Sequence, residues 1–337
     1  VQLSFFYSTL GSRRKYRVQT RAWRRAAAVI AICFFLSGFA GLAYQILWVR
    51  ILTLIFGATT LAISTVLTAF MGGLALGSFL GGRWADRVKR PLVLYGGLQI
   101  VIGVYGFLVP YIFQALTPLY RVVWENYHPN FWALSLLRFA VVTLVLILPT
   151  TAMGATLPAL SRFFARRREE VGFDIGRIYG LNTLGAVFGA LAPAFVLIPF
   201  LGVGNSIVAA ALLSVCIGIV SILLGWRAVS PLDAEQPLAP TIAPAAGKPR
   251  RDWRIAVVLG AFAVSGFVGM SYEIAFTRLI STVVPSTTYA FTIMLATFLV
   301  GLALGSLAGS YASRRSKNEL FLMGAVQLFI GVAVYAG

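Results

Sequence analysis

Residues 73–90 read GLALGSFLGGRWADRVKR, with glycines four apart in an apolar run that then turns abruptly basic. That spacing stacks Gly73, Gly77 and Gly81 on one face of a helix, where a neighbouring backbone can approach closely. The segment that follows holds four cations and one acid, the pattern of a loop kept on the cytoplasmic side of a membrane. The stretch returns 228 residues later, at 301–318, as GLALGSLAGSYASRRSKN, with Gly301, Gly305 and Gly309 in the same stripe. Two related halves are therefore expected in one chain.

Composition agrees with a membrane setting. Charged residues make up 11 % of the chain and hydrophobic residues 59 %, outside the range of soluble domains. Nearly uncharged runs such as 26–49 and 178–226 exceed what one bilayer crossing needs. The chain thus reads as an all-α polytopic membrane protein whose first partner is the lipid bilayer. A net charge of +18 would suggest nucleic acid in a soluble protein. Here the cations sit in short loops between apolar spans, so no nucleic-acid partner is expected. Cys33 and Cys216 fall inside apolar spans and His128 stands alone, so neither a metal nor a cofactor is called for. A basic block follows the first ten residues rather than leading them, which argues against a signal peptide. Lacking an initial Met and stopping at Gly337 inside an apolar run, the sequence reads as part of something longer.

Taken in order, residues 1–25 form a basic cytoplasmic arm and 26–226 a six-span membrane half. Residues 227–254, rich in proline and alanine, read as a cytoplasmic linker, and 255–337 as the truncated start of a second half. The expected spans are about 26–56, 60–82, 91–116, 133–155 and 178–200. A sixth follows a tight turn at 202–205 and ends near Trp226. Three more lie at about 255–280, 287–312 and from 320 onward. Residues 117–132, with Trp124, Tyr127 and Trp132, read as an interfacial connection, and the fourth span as kinked or broken near Pro149 and Pro158. Of the 28 cations, 24 fall in the arm and in the loops after spans two, four, six and eight. The positive-inside rule then places the N-terminus and every even-numbered loop in the cytoplasm.

The repeat extends beyond the glycines. Residues 36–104 align with 264–332 without a gap, matching Ser37 to Ser265, Tyr44 to Tyr272, Arg50 to Arg278 and Gln99 to Gln327. Parallel six-span repeats joined by a long linker are a recognised transporter architecture, which would total about twelve spans. The segment 82–90, GRWADRVKR, resembles the signature loop after the second helix of the major facilitator superfamily. The resemblance implies that Arg83, Asp86, Arg87 and Arg90 form a cytoplasmic gating loop. A glycine usual after the Asp-Arg pair is replaced here, and the second copy has Arg314 and Arg315 without an acid.

A narrower likeness rests on SGFAGLAYQILWVRIL, GLALGSFLGGRWADR, LPTTAMGATLPALSR and GRIYGLNTLGAVFGALAPAFVLIPFLG. These are similar to the membrane region of fused major facilitator/spermidine synthase proteins. The likeness implies an inner-membrane location in a bacterium and transporter-like movement of polyamines or related cationic metabolites. It also implies an aminopropyltransferase-like domain beyond Gly337. No catalytic constellation is visible in this chain. The alternative is a non-transporting anchor, or a structural subunit of a larger membrane complex. One departure matters: Gln45 stands where the family has an acid, whereas Glu273 keeps the acid in the second copy.

Glu273 is the only acid well inside a span. An ionisable group there is costly and is a functional candidate by default. It could bind a cation or carry a proton; the competing reading is a structural pair with Arg278. Counted from Arg254, it falls in the outer third of its span. Gln45, Tyr44, Tyr272 and Asn182 complete the candidate set, with packing the competing role for the tyrosines and for Asn182 beside Thr183. Arg50 and Arg278 read as snorkelling cations. The glycine stripes of spans two and eight are expected to form sliding contacts between the halves.

Overall fold

The computed structural model describes residues 2–56, 60–85, 87–128, 130–164, 171–227, 253–284, 286–315 and 319–336. All regular structure among them is helical: α1 (Gln2–Phe56), α2 (Thr60–Ala85), α3 (Pro91–Tyr127), α4 (Phe131–Phe164), α5 (Val171–Ala192), α6 (Ile198–Arg227), α7 (Trp253–Val283), α8 (Thr287–Arg315) and α9 (Glu319–Ala336). Helices are what a lipid-facing chain must form, since no water is present to satisfy loose backbone groups. Seven stretches are long and apolar enough to span a bilayer, among them Tyr179–Arg227 at 49 residues, and α9 adds the shorter Gly324–Tyr335. Residue 86 and most of the linker, 228–252, lie outside the described residues.

The 49-residue stretch is two crossings. Tyr95 of α3 bonds to the Cys33 carbonyl of α1 and Gln99 to Ser37, while Tyr44 covers Gly106. The offset stays at 62, so α1 and α3 run parallel. Gly185 and Gly189 meet Phe35 and Phe39 at a constant offset, so α5 also runs parallel to α1. Gly96 meets Gly218 and Gly103 meets Ala211, so α6 runs against α3. Hence α5 and α6 are antiparallel. The chain reverses at Gly202, whose φ of 74° is a conformation that favours glycine. Between them Pro193–Leu197 forms a π-turn in which the Ile198 N–H donates to the Pro193 carbonyl.

Three seams of small residues hold the first six helices: α2 on α4, α3 on α6 and α1 on α5. A Cβ on Gly73, Gly77 or Gly81 would lie within 2.9 Å of atoms in Thr150, Gly154 or Ala155 respectively. The stripe therefore packs inside the first half and makes no sliding contact between halves. In α8, Gly301 and Gly305 meet nothing within 4 Å. Gly309 lies among residues whose surroundings are not described.

The fourth helix is continuous from Phe131 to Phe164, with Pro149 and Pro158 inside it, correcting the expectation of a break. Pro158 has no N–H to offer the Gly154 carbonyl, and Ser78 of α2 donates to that carbonyl instead at 3.3 Å. The seam thus repairs the helix. The expected interfacial connection at 117–132 is also mostly helical, as α3 runs to Tyr127 and α4 begins at Phe131. Likewise α1 extends back through the basic arm to Gln2.

The last three helices meet the first six mainly through α5 on α8, with smaller contacts of α1 on α8 and α2 on α7. The Phe195 and Tyr289 rings lie 5.3 Å apart across this boundary. One apolar core crosses it, including Tyr44 and Trp48 of α1, Phe70 of α2, and Phe291 and Leu295 of α8, with Ile280 of α7 against it.

Candidate functional site

Each of α1, α7 and α8 turns polar atoms into this shared core. On α7, Glu273, Thr277 and Ile280 follow helical spacing and form its inward face. On α8, Thr288, Phe291, Thr292 and Leu295 do the same. Glu273 is 2 % exposed and neither carboxylate oxygen meets a hydrogen-bond partner among the described residues. Arg278 lies on the exposed side of the helix, so the structural pair with Glu273 is not formed. Five residues is more than one turn, and it carries the guanidinium round to the other face.

Gln45 is fully buried, and its amide oxygen and nitrogen are both unpartnered. The Trp48 Nε1–H and the hydroxyls of Tyr44, Thr288 and Thr292 are buried and unpartnered as well. Tyr44 sits close to Ser214 without meeting hydrogen-bond geometry and stacks on Trp48 at 5.2 Å between ring centroids. Tyr272 is only partly buried and contacts Phe276 at 6.2 Å. Each unmatched buried polar group costs about 1–3 kcal/mol and a charged one more. So many together around one core make a set of donors and acceptors built for something other than stability.

Depth also changes. Glu273 lies ten residues before the end of its span at Val283, and Gln45 ten before the end of its own at Ile55. At about 1.5 Å per residue both are about 15 Å in, the middle of a core ~30 Å thick. The outer-third expectation fails because α7 continues three residues beyond the expected end at 280.

Asn182 lies in a seam. A Cβ on Gly38 would strike its backbone carbonyl, and Thr183 donates to the Tyr179 carbonyl of its own helix at 2.9 Å. In the loop after α2, Arg83 and Arg87 are exposed, with the Arg83 guanidinium carbon 4.0 Å from the centre of the Phe79 ring. The Arg87 N–H donates to the Trp84 carbonyl, while the Arg90 carbonyl accepts from Val93 and Leu94 and so opens α3. Asp86 lies outside the described residues.

Two features escaped the sequence reading. Arg162, at the end of α4, donates to the Ala85 carbonyl at the end of α2, clipping two cytoplasm-assigned loops together. Gln99 donates to Ser37, and Gln327 to Ser265 at 2.8 Å. The signal for that clasp was present, because both partners recur in the repeat with their 62-residue separation intact.

A family model described as Major Facilitator Superfamily matches residues 30–337. Among curated proteins, the chain is 27 % identical over 174 residues to polyamine aminopropyltransferase 2 of Streptomyces coelicolor, covering 50 % of this chain and 29 % of that protein. It is 24 % identical over 178 residues to polyamine aminopropyltransferase 2 of Ralstonia nicotianae, covering 53 % and 32 %. The polyamine aminopropyltransferase of Corynebacterium efficiens is 26 % identical over 200 residues, covering 58 % and 34 %. The chain thus spans about a third of the length of the curated relatives it matches. No solved structure matches significantly. With its multi-pass helical fold and a family match across nearly its whole length, the chain is a transporter-like membrane domain and belongs to the Major Facilitator Superfamily.

Proposed function

We propose that this chain moves polyamines or related cationic metabolites across the membrane, with Glu273 as the group that holds the cation or its coupling proton. The observation that carries the reading is the buried, unpartnered Glu273 carboxylate among the unmatched polar atoms of α1 and α8. The names of the relatives supply the substrate class. The lopsided cation distribution supports a cytoplasmic N-terminus in a bacterial inner membrane, with residues 26–226 and 255–337 as two halves joined by a cytoplasmic linker. Arg83, Asp86, Arg87 and Arg90 serve as the gating loop, and Arg162 braces it. An aminopropyltransferase-like domain adjoins the helices in the whole protein.

Proteoliposome flux of labelled spermidine and smaller amines tests this. Losing a buried charged contact costs about 2–5 kcal/mol, so Glu273→Gln is expected to cut flux at least ~30-fold. Flux unchanged by the substitution removes Glu273 from the mechanism. No flux across the whole amine panel favours the anchoring role.

A further inference from the structure

The first helices of the two repeats present nearly the same surface and differ in one functional group. Tyr44 answers to Tyr272, Trp48 to Phe276 and Arg50 to Arg278, and both copies keep the aromatic contact one turn apart. Between these matched positions stand Gln45 and Glu273, each ten residues before the end of its span. Glutamine and glutamate have the same shape. What differs is chemistry: a carboxylate only accepts hydrogen bonds and carries a charge, whereas a primary amide donates and accepts and carries none.

The neighbours sharpen the contrast. Around Gln45 the unpartnered atoms include the Trp48 N–H and the Tyr44 hydroxyl, so α1 is rich in donors. On α7 both unpartnered atoms are the Glu273 carboxylate oxygens, which are pure acceptors. The α8 hydroxyls of Thr288 and Thr292 can do either. A second ammonium lodged against Gln45 would be a desolvated charge without a counter-charge, which is strongly disfavoured. We infer that the site takes a ligand with one protonated amine at Glu273 and a neutral polar end at Gln45, and that Gln45 is the residue that excludes a second charged amine. This rests on the reading of Glu273 as a cation site and narrows its ligand class.

A matched pair of four-carbon probes tests the inference: 4-amino-1-butanol, with one amine and one hydroxyl, and 1,4-diaminobutane, with two amines. Equilibrium binding of each labelled probe is measured on the purified full-length protein in nanodiscs. Every variant is checked for a single size-exclusion peak and an unchanged unfolding temperature. The wild type is expected to favour the amino alcohol by about tenfold, one unit of log affinity. Gln45→Glu should reverse that preference, and Glu273→Gln should lose both probes. The double variant Gln45→Glu/Glu273→Gln only moves the carboxylate from α7 to α1, so amino-alcohol binding should return to within about threefold of wild type.

A folded Gln45→Glu whose probe ratio equals that of the wild type overturns the inference, as does a folded double variant that binds neither probe. Wild-type protein that binds neither probe, or Glu273→Gln that binds both like the wild type, overturns the underlying cation-site reading instead. The two failures are therefore distinct.

Discussion

The first three helices and the last three carry the same motifs in different surroundings. In α2 the glycine stripe is covered by α4; in α8 the equivalent Gly301 and Gly305 meet nothing, since no described helix occupies the corresponding place. The Tyr44–Trp48 stack is fully buried, while Phe276 in the second aromatic pair is 41 % exposed. Gln99 is buried in its clasp with Ser37, whereas Gln327 makes the same bond to Ser265 in an exposed setting. Local geometry is repeated by the sequence, but what it contributes depends on what packs against it. The polar candidates invert the pattern. Glu273, in the less enclosed copy, is buried as deeply as most of the first-half core.

The difference can be tested by equivalent substitutions in both copies, read as thermal unfolding in detergent. Trp48→Ala should destabilise most, by about 3–5 kcal/mol for a buried large aromatic, whereas Phe276→Ala should cost roughly 1 kcal/mol or less. Equal losses would mean the two pairs share the same enclosure. Next comes Gly77→Leu, which forces a side chain into the α4 backbone and should cost about 1–3 kcal/mol; Gly305→Leu should stay within about 0.5 kcal/mol. A large loss at Gly305 would reveal a packing partner for α8. The smallest effect is the clasp. A Ser37/Gln99 double-mutant cycle should give a coupling of about 0.6–1.7 kcal/mol, with the Ser265/Gln327 cycle near zero because water competes for the exposed pair. Equal couplings would make the clasp independent of burial.

Much of this fold was readable from the chain because membrane helices announce themselves by length and apolarity. The duplication, the spans and the reversal near Gly202 all followed from spacing. Helix ends were harder. The arm before Ala26 and the segment after Leu116 are polar enough to read as connections, yet nothing in them prevents a helix from continuing into the headgroup region. Pro149 and Pro158 suggested a break because proline removes a donor, and the reading had no access to Ser78, 76 residues away, which replaces one. For the site, the cost of a buried acid picked out Glu273 alone. Thr288, Thr292 and Trp48 remained hidden, since a hydroxyl or an indole costs little in a span until its environment is known. Asn182 misled for the converse reason: its polarity drew notice, while its backbone makes the contact.

The reversal at Gly202 also bears on how the protein is made. With φ at 74° and no polar excursion between α5 and α6, almost no hydrophilic peptide has to be carried through the lipid between these crossings. Gly202, Val203 and Gly204 form nearly the whole connection. The pair can therefore enter the bilayer as one preformed hairpin, closing during biogenesis before either helix finds its seam on α1 or α3. A bulky residue at Gly202 would then be felt first as failed insertion, lowering the amount of protein that reaches the membrane rather than the performance of what arrives.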